Sequence, residues 1–232
     1  MQEGHDLTDF QINEDTPVGS IVYTLKGIDP EGFKVKYWIN GDHFSVNSET
    51  GDVTLIAPLD REEDKEFSVV ITLEDDTQIQ PFKRLIKVID KNDNAPKFVR
   101  KRYEFEVDET EPVGKTLFTE IGISDIDEGG NANIKLSCTP SKSSPEACEA
   151  FGVRAQRKAA GSYIGLVTLT KPLDFEARSS YDMVITAEDS GIPSLSSTAN
   201  ILIKVNDIQD QKPFFVNAPY SVSIPENVPE VR

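Results

Sequence analysis

The segment Asp90-Lys91-Asn92-Asp93-Asn94-Ala95-Pro96 decides how this chain is organised. Two carboxylates and two amides lie within five residues, and Pro96 cannot continue a strand because it lacks a backbone N–H. Calcium in proteins takes about six to eight oxygen ligands, mostly from carboxylates and carbonyls. The segment therefore predicts a calcium-bridged joint between two repeated units.

The residues on either side of this segment repeat the same acidic motifs. Glu14 in NEDTPVG corresponds to Glu109 in DETEPVG and to Glu226 in PENVPE, at separations of 95 and 117 residues. The further pairs are Asp29 with Asp125, Asp60 and Glu62 with Asp174 and Glu176, Asp75 with Asp189, and Asp90 with Asp207. A period of this length indicates whole domains in tandem rather than a solenoid of small units. We expect one repeat over 1–95, a second over 96–212 and the start of a third over 213–232.

Between the acidic motifs, apolar residues occupy every second position. Ile86 and Val88 precede Asp90, and the run Ile201 to Val205 precedes Asp207 in the same way. This period sends one face of a strand to a core. Further predicted strands are Ser20 to Leu25, Val35 to Ile39, Val53 to Ile56, Ser68 to Leu73, Tyr103 to Val107, Lys115 to Glu120, Asn133 to Ser137 and Gly165 to Leu169. About seven short strands per repeat predict an all-β fold of tandem Greek-key, immunoglobulin-like sandwiches.

Composition excludes several classes of function. The net charge of −16 argues against nucleic-acid binding and fits a cation binder. Two histidines leave little material for a His-based triad or a zinc site, and paired carboxylates that recur at a fixed phase of a repeat do not indicate a glycosidase, so no enzyme is expected. The N-terminus is unlike a signal peptide and no apolar run is long enough to span a bilayer, so we expect an excised segment of a longer protein.

Cys138 and Cys148 are the two cysteines of the chain, and they bracket the polar loop Thr139 to Ala147. This loop lies in the part of the second repeat that is longer than the first. In an oxidising compartment we expect a local disulfide between the two cysteines, with two unpaired thiols as the alternative.

The ordered set of motifs, present twice, resembles extracellular cadherin repeats. It comprises a Glu near the start of each repeat, a DxD motif after the second strand, LDRE, an Asp after a TAxD-like strand, and DxNDN at the boundary. The resemblance covers essentially the whole chain. It is closer to long protocadherin-like or cadherin-related members than to classical cadherins.

The resemblance implies a set of calcium ligands at the central joint. The base of the first repeat would supply Glu14, Asp60 and Glu62; the linker would supply Asp90, Asn92, Asp93 and Asn94; and the top of the second repeat would supply Asp125, Asp127, Asn131 and Asp189. Three calcium ions would then face eight carboxylates. Without metal, this clustered negative charge should repel itself and loosen the joint.

The resemblance matches the outer ends of the chain less completely. At the C-terminal end Glu109, Asp174, Glu176, Asp207 and Asp210 match, Gln209 and Gln211 replace Asn, Phe175 stands where Arg is usual, and Glu226 begins the third repeat. At the N-terminal end the matching residues are Asp29, Glu31 and Asp75. The N-terminal residues could hold one ion, serve an upstream repeat, or form turns.

The resemblance implies calcium-dependent cell adhesion on the extracellular side of the membrane, in a membrane-anchored protein whose partner is another cadherin, homophilic or heterophilic. Exchange of a strand anchored by Trp is not expected, because Trp38 lies inside the strand pattern KYWIN and is interpreted as core. The alternative is a receptor module in which calcium is only structural. Recognition would then lie on the 138–148 loop or on the sandwich faces.

Overall fold

A computed structural model of the protein describes residues 6–209 together with 213, 215, 216, 221, 223 and 226. Its regular secondary structure is β-strand apart from one short helix. The first sandwich contains β1 (Gln11–Asn13), β2 (Ile21–Thr24), β3 (Lys36–Asn40), β4 (Phe44–Val46), β5 (Asp52–Leu55), β6 (Glu66–Glu74) and β7 (Ile79–Ile89). The second contains β8 (Lys97–Phe98), β9 (Arg102–Asp108), β10 (Thr116–Ser124), β11 (Lys135–Pro140), α1 (Ala147–Ala150), β12 (Phe151–Ala159), β13 (Ser162–Leu169), β14 (Ser180–Glu188) and β15 (Ser196–Asn206).

Each sandwich pairs two sheets around its own core. In the first, the sheets have the strand orders β1-β7-β6-β3 and β2-β5-β4, with β1 parallel to β7. Val53, Leu55 and Ile86 are fully buried between them. These residues come from alternating strand positions, so the period read from the sequence is the period that builds the core.

The second sandwich has the same arrangement with a few additions. Its sheets have the orders β11-β14-β15-β9 and β12-β13-β10-β8, with β9 parallel to β15. Phe151, Leu169 and Ile185 are fully buried in its core. The predicted tandem sandwiches are confirmed. The short strands β1, β4 and β8, the strand β12 and the short helix α1 were not among the predicted elements.

Strand ends determine where the acidic motifs lie. β7 ends immediately before Asp90, β10 ends immediately before Asp125, and β14 ends immediately before Asp189. Glu14 directly follows β1. A strand in a sandwich runs from one end of the domain to the other, so these polar residues gather at the end of one sandwich and the facing end of the next.

The interpretation of Trp38 as a core residue was wrong. Trp38 lies on the edge strand β3, and its side chain is 52% exposed, whereas its neighbour Tyr37 is buried. The Trp38 indole Nε1 donates a hydrogen bond to Glu74 Oε2 at 2.7 Å. Strand alternation places one of two adjacent aromatic residues outside, and here Tyr37 takes the inner position.

The expected local disulfide between Cys138 and Cys148 is present. It closes the loop that leads into α1. Among the described residues, no helix is long and apolar enough to span a membrane.

Candidate metal centre at the inter-repeat joint

Glu14 ties the base of the first repeat to the linker. Its carboxylate is buried, and its two oxygens accept hydrogen bonds from the backbone N–H groups of Arg61 at 2.7 Å and Lys91 at 2.6 Å. These bonds bring three separate segments of the chain together. The residues next to the tied amides, Asp60, Glu62 and Asp90, are thereby held at the same end of the sandwich.

Two groups of carboxylates at this end are tight enough to hold a metal ion. One comprises Glu14, Asp60 and Glu62, and the other comprises Glu62, Asp93 and Asp127; within each group, one oxygen from each residue lies within 4.8 Å of the others. Glu62 belongs to both groups. The second group joins the first repeat, the linker and the second repeat.

Two linker amides connect the joint to the second repeat. The buried side chain of Asn92 donates from Nδ2 to Asp189 Oδ1 at 3.1 Å and to the Pro193 carbonyl at 2.6 Å. Asn94 Nδ2 donates to Asp127 Oδ1 at 2.9 Å. A Cβ added at Gly191 would lie 2.1 Å from Asn92 Cγ, so the absence of a side chain at position 191 lets the linker approach this closely.

The remaining predicted residues join the same network. Asp90 Oδ2 accepts hydrogen bonds from Glu128 N at 2.9 Å and from Asn131 Nδ2 at 2.7 Å, and Asp125 Oδ1 accepts one from Asp127 N at 3.1 Å. All eleven residues predicted for the central joint therefore lie in it. Asp125, Asp127 and Asp189 are each no more than 5% exposed.

Two oxygens in the joint fit a hard cation directly. Asn92 Oδ1 and Asp125 Oδ2 are buried and have no hydrogen-bond partner among the described residues. An unsatisfied buried acceptor is costly, and a bound cation is one way to satisfy it. Carboxylate and amide oxygens are the donors that calcium prefers.

The crowding of carboxylates changes their acidity. Burial raises the pKa of Glu62 to about 7; Arg61 opposes this rise, and the charges of Glu14 and Asp90 add to it. Burial, together with the charges of Asp127 and Asp189, raises the pKa of Asp125 to about 6. Burial and neighbouring carboxylates also raise the pKa values of Asp93 and Asp127. Without metal, the carboxylates of the joint thus outnumber the positive charge available to them.

Sequence reasoning missed the part played by Arg61. Its side chain is 4% exposed, pairs with Asp90 and Glu62, and donates from Nη2 to the Ile126 carbonyl of the second repeat at 2.8 Å. The available signal was the Arg of LDRE, a cation within a run of acids. Nothing in the sequence alone indicates that its side chain turns into the joint.

The base of the second repeat repeats the scaffold of the first. Glu109 accepts hydrogen bonds from Phe175 N at 2.7 Å and Ile208 N at 2.8 Å, and it groups with Asp174 and Glu176. Asp207, Gln209 and Glu226 are exposed, and none belongs to a tight carboxylate group of the described residues. Asp210 lies outside the described residues.

At the top of the first repeat, the predicted acids form turns. Asp29 Oδ1 accepts from Glu31 N at 2.8 Å, and Asp75 Oδ1 accepts from Thr77 N at 2.7 Å. These bonds are the short-range pattern typical of Asp in turns. Glu31 is exposed.

Both repeats match a known family of domains. The Cadherin domain model matches residues 8–88 and 103–206. The chain belongs to the cadherin family. It is 34% identical to rat Cadherin-23 over 223 residues, which cover 94% of this chain and 6% of that relative.

Solved cadherin structures have the same fold. The crystal structure of human Protocadherin-24 EC1-2 aligns with a TM-score of 0.68 and 27% identity over 85% of this chain and 93% of that chain. The protocadherin gammaB7 EC3-6 cis-dimer structure aligns with a TM-score of 0.66 and 28% identity over 87% of this chain and 46% of that one. Cadherins are adhesion proteins rather than enzymes, and their repeats generally bind calcium.

The raised pKa of Glu62 predicts opposite effects of pH with and without calcium. The folded-state pKa of about 7 lies above the ordinary 4.5, so the folded chain gains a proton in this window and, without calcium, stability falls as pH rises through it. In calcium, the proton competes with the metal. The apparent dissociation constant should rise roughly tenfold between about pH 8 and about pH 6.

Thermal unfolding in calcium-depleted buffer and calcium titration by calorimetry measure the two effects. Glu62→Gln should flatten both pH dependences. Equal pH dependences in this variant and the unaltered chain would contradict the assignment to Glu62.

Proposed function

We propose that this chain is a calcium-dependent adhesion segment of a cell-surface cadherin, located on the extracellular side of the membrane. The observation that carries the proposal is the joint, where eight carboxylates converge. Two groups of three residues each have one oxygen per residue within 4.8 Å of the others, and two buried acceptors have no hydrogen-bond partner in the described part of the chain. The chain spans 6% of the length of rat Cadherin-23, so an anchor and further repeats of the whole protein are part of the proposal.

The chain's own residues position the joint for calcium. Glu14 holds the linker against the first repeat, and Asn92 and Asn94 hold it against the second. The eleven central residues would provide the ligands. When bound, calcium would supply the positive charge that removes repulsion between the carboxylates, so that the two sandwiches form one stiff rod.

The second joint is proposed as a weaker or incomplete site. Glu109, Asp174 and Glu176 are grouped as in the first joint. The linker there has Gln209 and Gln211 in place of Asn, and the third repeat would have to supply the remaining ligands.

Calcium should raise the stability of the joint and extend the particle. Extracellular calcium modules bind with constants of about 10⁻⁴ to 10⁻³ M, so about 5 mM calcium should add on the order of 1–2 kcal/mol per site. Asp125→Asn should lose most of this gain while each sandwich stays folded, because Asp125 ligates and lies outside both cores. Thermal unfolding and small-angle scattering, with calcium and with chelator, measure the two quantities.

Glu120→Gln provides the matched control, since it removes an exposed carboxylate of β10 outside the joint. It should retain the full calcium response. If calcium changed neither the melting temperature nor the particle length of the unaltered chain, the calcium-stiffened joint would be wrong.

Recognition through a sandwich face is the second candidate function, and a specific surface favours it. On the outer face of the first sandwich, Thr72 of β6 lies between Trp38 of β3 and Pro81 of β7. Ile79 lies two residues before Pro81 on the same face of β7. Ile79 is 66% exposed and Leu85 is 44% exposed. Register places Ser137, Thr198 and Ser196 of the second repeat where the first has Trp38, Pro81 and Ile79. The second repeat has the same fold with a polar outer face, so the fold does not require apolar residues at these positions. The apolar face of the first repeat therefore has a role beyond folding.

We infer that this apolar face contacts a second copy of the chain. The face carries Lys36, Lys83 and Lys87, of which Lys36 and Lys87 lie opposite Glu74 and Glu66 of β6. Its lysines thus outnumber these two acids, whereas the molecule as a whole has a net charge of −16, so the face is complementary to acidic regions of another copy. Exposed Trp is a common anchor of protein interfaces.

Trp38→Ala combined with Ile79→Ser should weaken self-association in calcium at least tenfold, because the two largest apolar anchors of the face are lost. Sedimentation analysis over a range of concentrations measures the dissociation constant. Ser137→Ala, at the matching position of the second repeat, should have no effect. An unchanged dissociation constant in the double variant would show that this face is not the contact.

The loop 138–148 is a weaker candidate for recognition because it is fastened to its own repeat. Ser144 is buried and its Oγ accepts from Asp182 N at 3.1 Å. Arg178 pairs with Glu146 and donates from Nη1 to the Ser143 carbonyl at 2.8 Å. These contacts, with the disulfide, give the loop a structural role at the base of the second sandwich.

A further inference from the structure

Arg61 is a buried cation at the centre of the joint. Among the residues that the structure describes, it is the only Lys or Arg that is buried. Its guanidinium pairs with Glu62 and with Asp90, and the carboxylate of Glu128 lies 3.9 Å from Nη1. A guanidinium is effectively always protonated in proteins, and the ion pairs with Asp90 and Glu62 favour its charged form further. The side chain therefore stays charged.

The contacts of Arg61 cross the boundary between the two repeats. Its backbone N–H is fixed by Glu14 of the first repeat, whereas its Nη2 donates to the carbonyl of Ile126 in the second repeat. Asp90 also accepts from Glu128 N and Asn131 Nδ2 of the second repeat. One side chain thus links the first repeat, the linker and the second repeat.

The carboxylates that Arg61 engages are those that a metal would need. Glu62 is shared by both tight carboxylate groups of the joint. An oxygen that is paired with a guanidinium is less available to a metal ion, and a fixed positive charge repels an incoming divalent cation. The same charge partly offsets the repulsion between carboxylates when metal is absent.

We propose that Arg61 is a built-in counterion of the joint, which holds the two repeats together when calcium is absent and competes with calcium for Glu62 and Asp90. This proposal rests on the proposed calcium function. Arg61 thereby sets both the stiffness of the metal-free joint and the calcium concentration at which it loads.

The second repeat provides an internal contrast. Phe175 occupies the position of Arg61, and its backbone N–H makes the equivalent hydrogen bond, to Glu109 at 2.7 Å. Its side chain instead packs against the core of the second repeat. The central joint therefore combines its acidic scaffold with the side-chain charge of Arg61. The base of the second repeat has the equivalent scaffold with an uncharged Phe175.

Arg61→Met tests the proposal because it keeps the length of the side chain and removes its charge. Calcium affinity at the central joint should rise several-fold, to on the order of tenfold, since a competing charge is lost. In chelator, scattering should show a broader range of particle lengths than for the unaltered chain. Calorimetric titration with calcium chloride and small-angle scattering give the two readouts.

Two further variants separate a charge effect from a packing effect. Arg61→Lys keeps the charge and should stay near the original affinity. Arg84→Met removes another partly buried arginine, whose ion pair with Asp6 lies outside the joint, and it should leave calcium affinity unchanged.

The results distinguish this proposal from the proposed function. If the unaltered chain bound no calcium, both would be overturned. If the unaltered chain bound calcium but Arg61→Met bound it with equal or lower affinity, only the counterion role would be overturned. A matching gain in Arg84→Met would likewise overturn it, because the effect would then be one of general loosening.

Discussion

Like-charge repulsion at the end of the first sandwich is the constraint on which the rest of the joint depends. Eight carboxylates converge there, and three of them, Asp125, Asp127 and Asp189, are almost fully buried. These carboxylates belong to neither apolar core. The folding energy of the two cores therefore has to offset the repulsion between the carboxylates. Burial, with a smaller contribution from neighbouring carboxylates, raises the pKa values of Glu62 and Asp125. The repulsion between the carboxylates can be relieved in three ways: by a positive charge, by protonation, or by movement of the carboxylates away from one another.

The hydrogen bonds of the joint decide which of these it uses. Glu14 and Glu109 each accept hydrogen bonds from two backbone amides at equivalent positions of their repeats. These bonds fix the backbone on either side of the neighbouring acidic residues, so the positions of their carboxylates are restricted. Carboxylate oxygens that are held in place can bind a cation with little rearrangement of the chain, which lowers the cost of binding. At the central joint, Arg61 already supplies one positive charge, whereas Phe175 supplies none at the other. Two equivalent acidic scaffolds can therefore differ in how much positive charge they would have to take from a metal ion.

Much of this arrangement could be predicted from the sequence, because the period-two alternation and the ordered motifs are local signals. They predicted the two sandwiches, and the resemblance to cadherin repeats named the eleven residues that the structure brings together at the central joint. The direction of individual side chains is not local, and there prediction failed. Trp38 was interpreted as core, but it shares a strand with Tyr37 and only one of the two can face inward. The inward turn of Arg61 depends on the carbonyl of Ile126, 65 residues away in sequence. Strand β12 and helix α1 belong to the extra length around the cysteines, for which the first repeat offers no template.

The proposed calcium joint and the proposed recognition face occupy different positions of the same fold. The acidic motifs lie at strand ends, where alternation does not restrict them, whereas the outer face uses the mid-strand positions that point away from the core. Replacing Ser137, Thr198 and Ser196 by the Trp, Pro and Ile of the first repeat changes no core residue and no carboxylate of the joint. The outer face can therefore vary from repeat to repeat while the acidic residues of the joint are kept. An apolar face is useful for binding only if the rod that presents it has a fixed direction, because a flexible joint would add an entropic cost to every contact. If both proposals hold, the charge balance around Arg61 and the exposed side chain of Trp38 would each affect adhesion, the first through the stiffness of the rod and the second through the contact it presents.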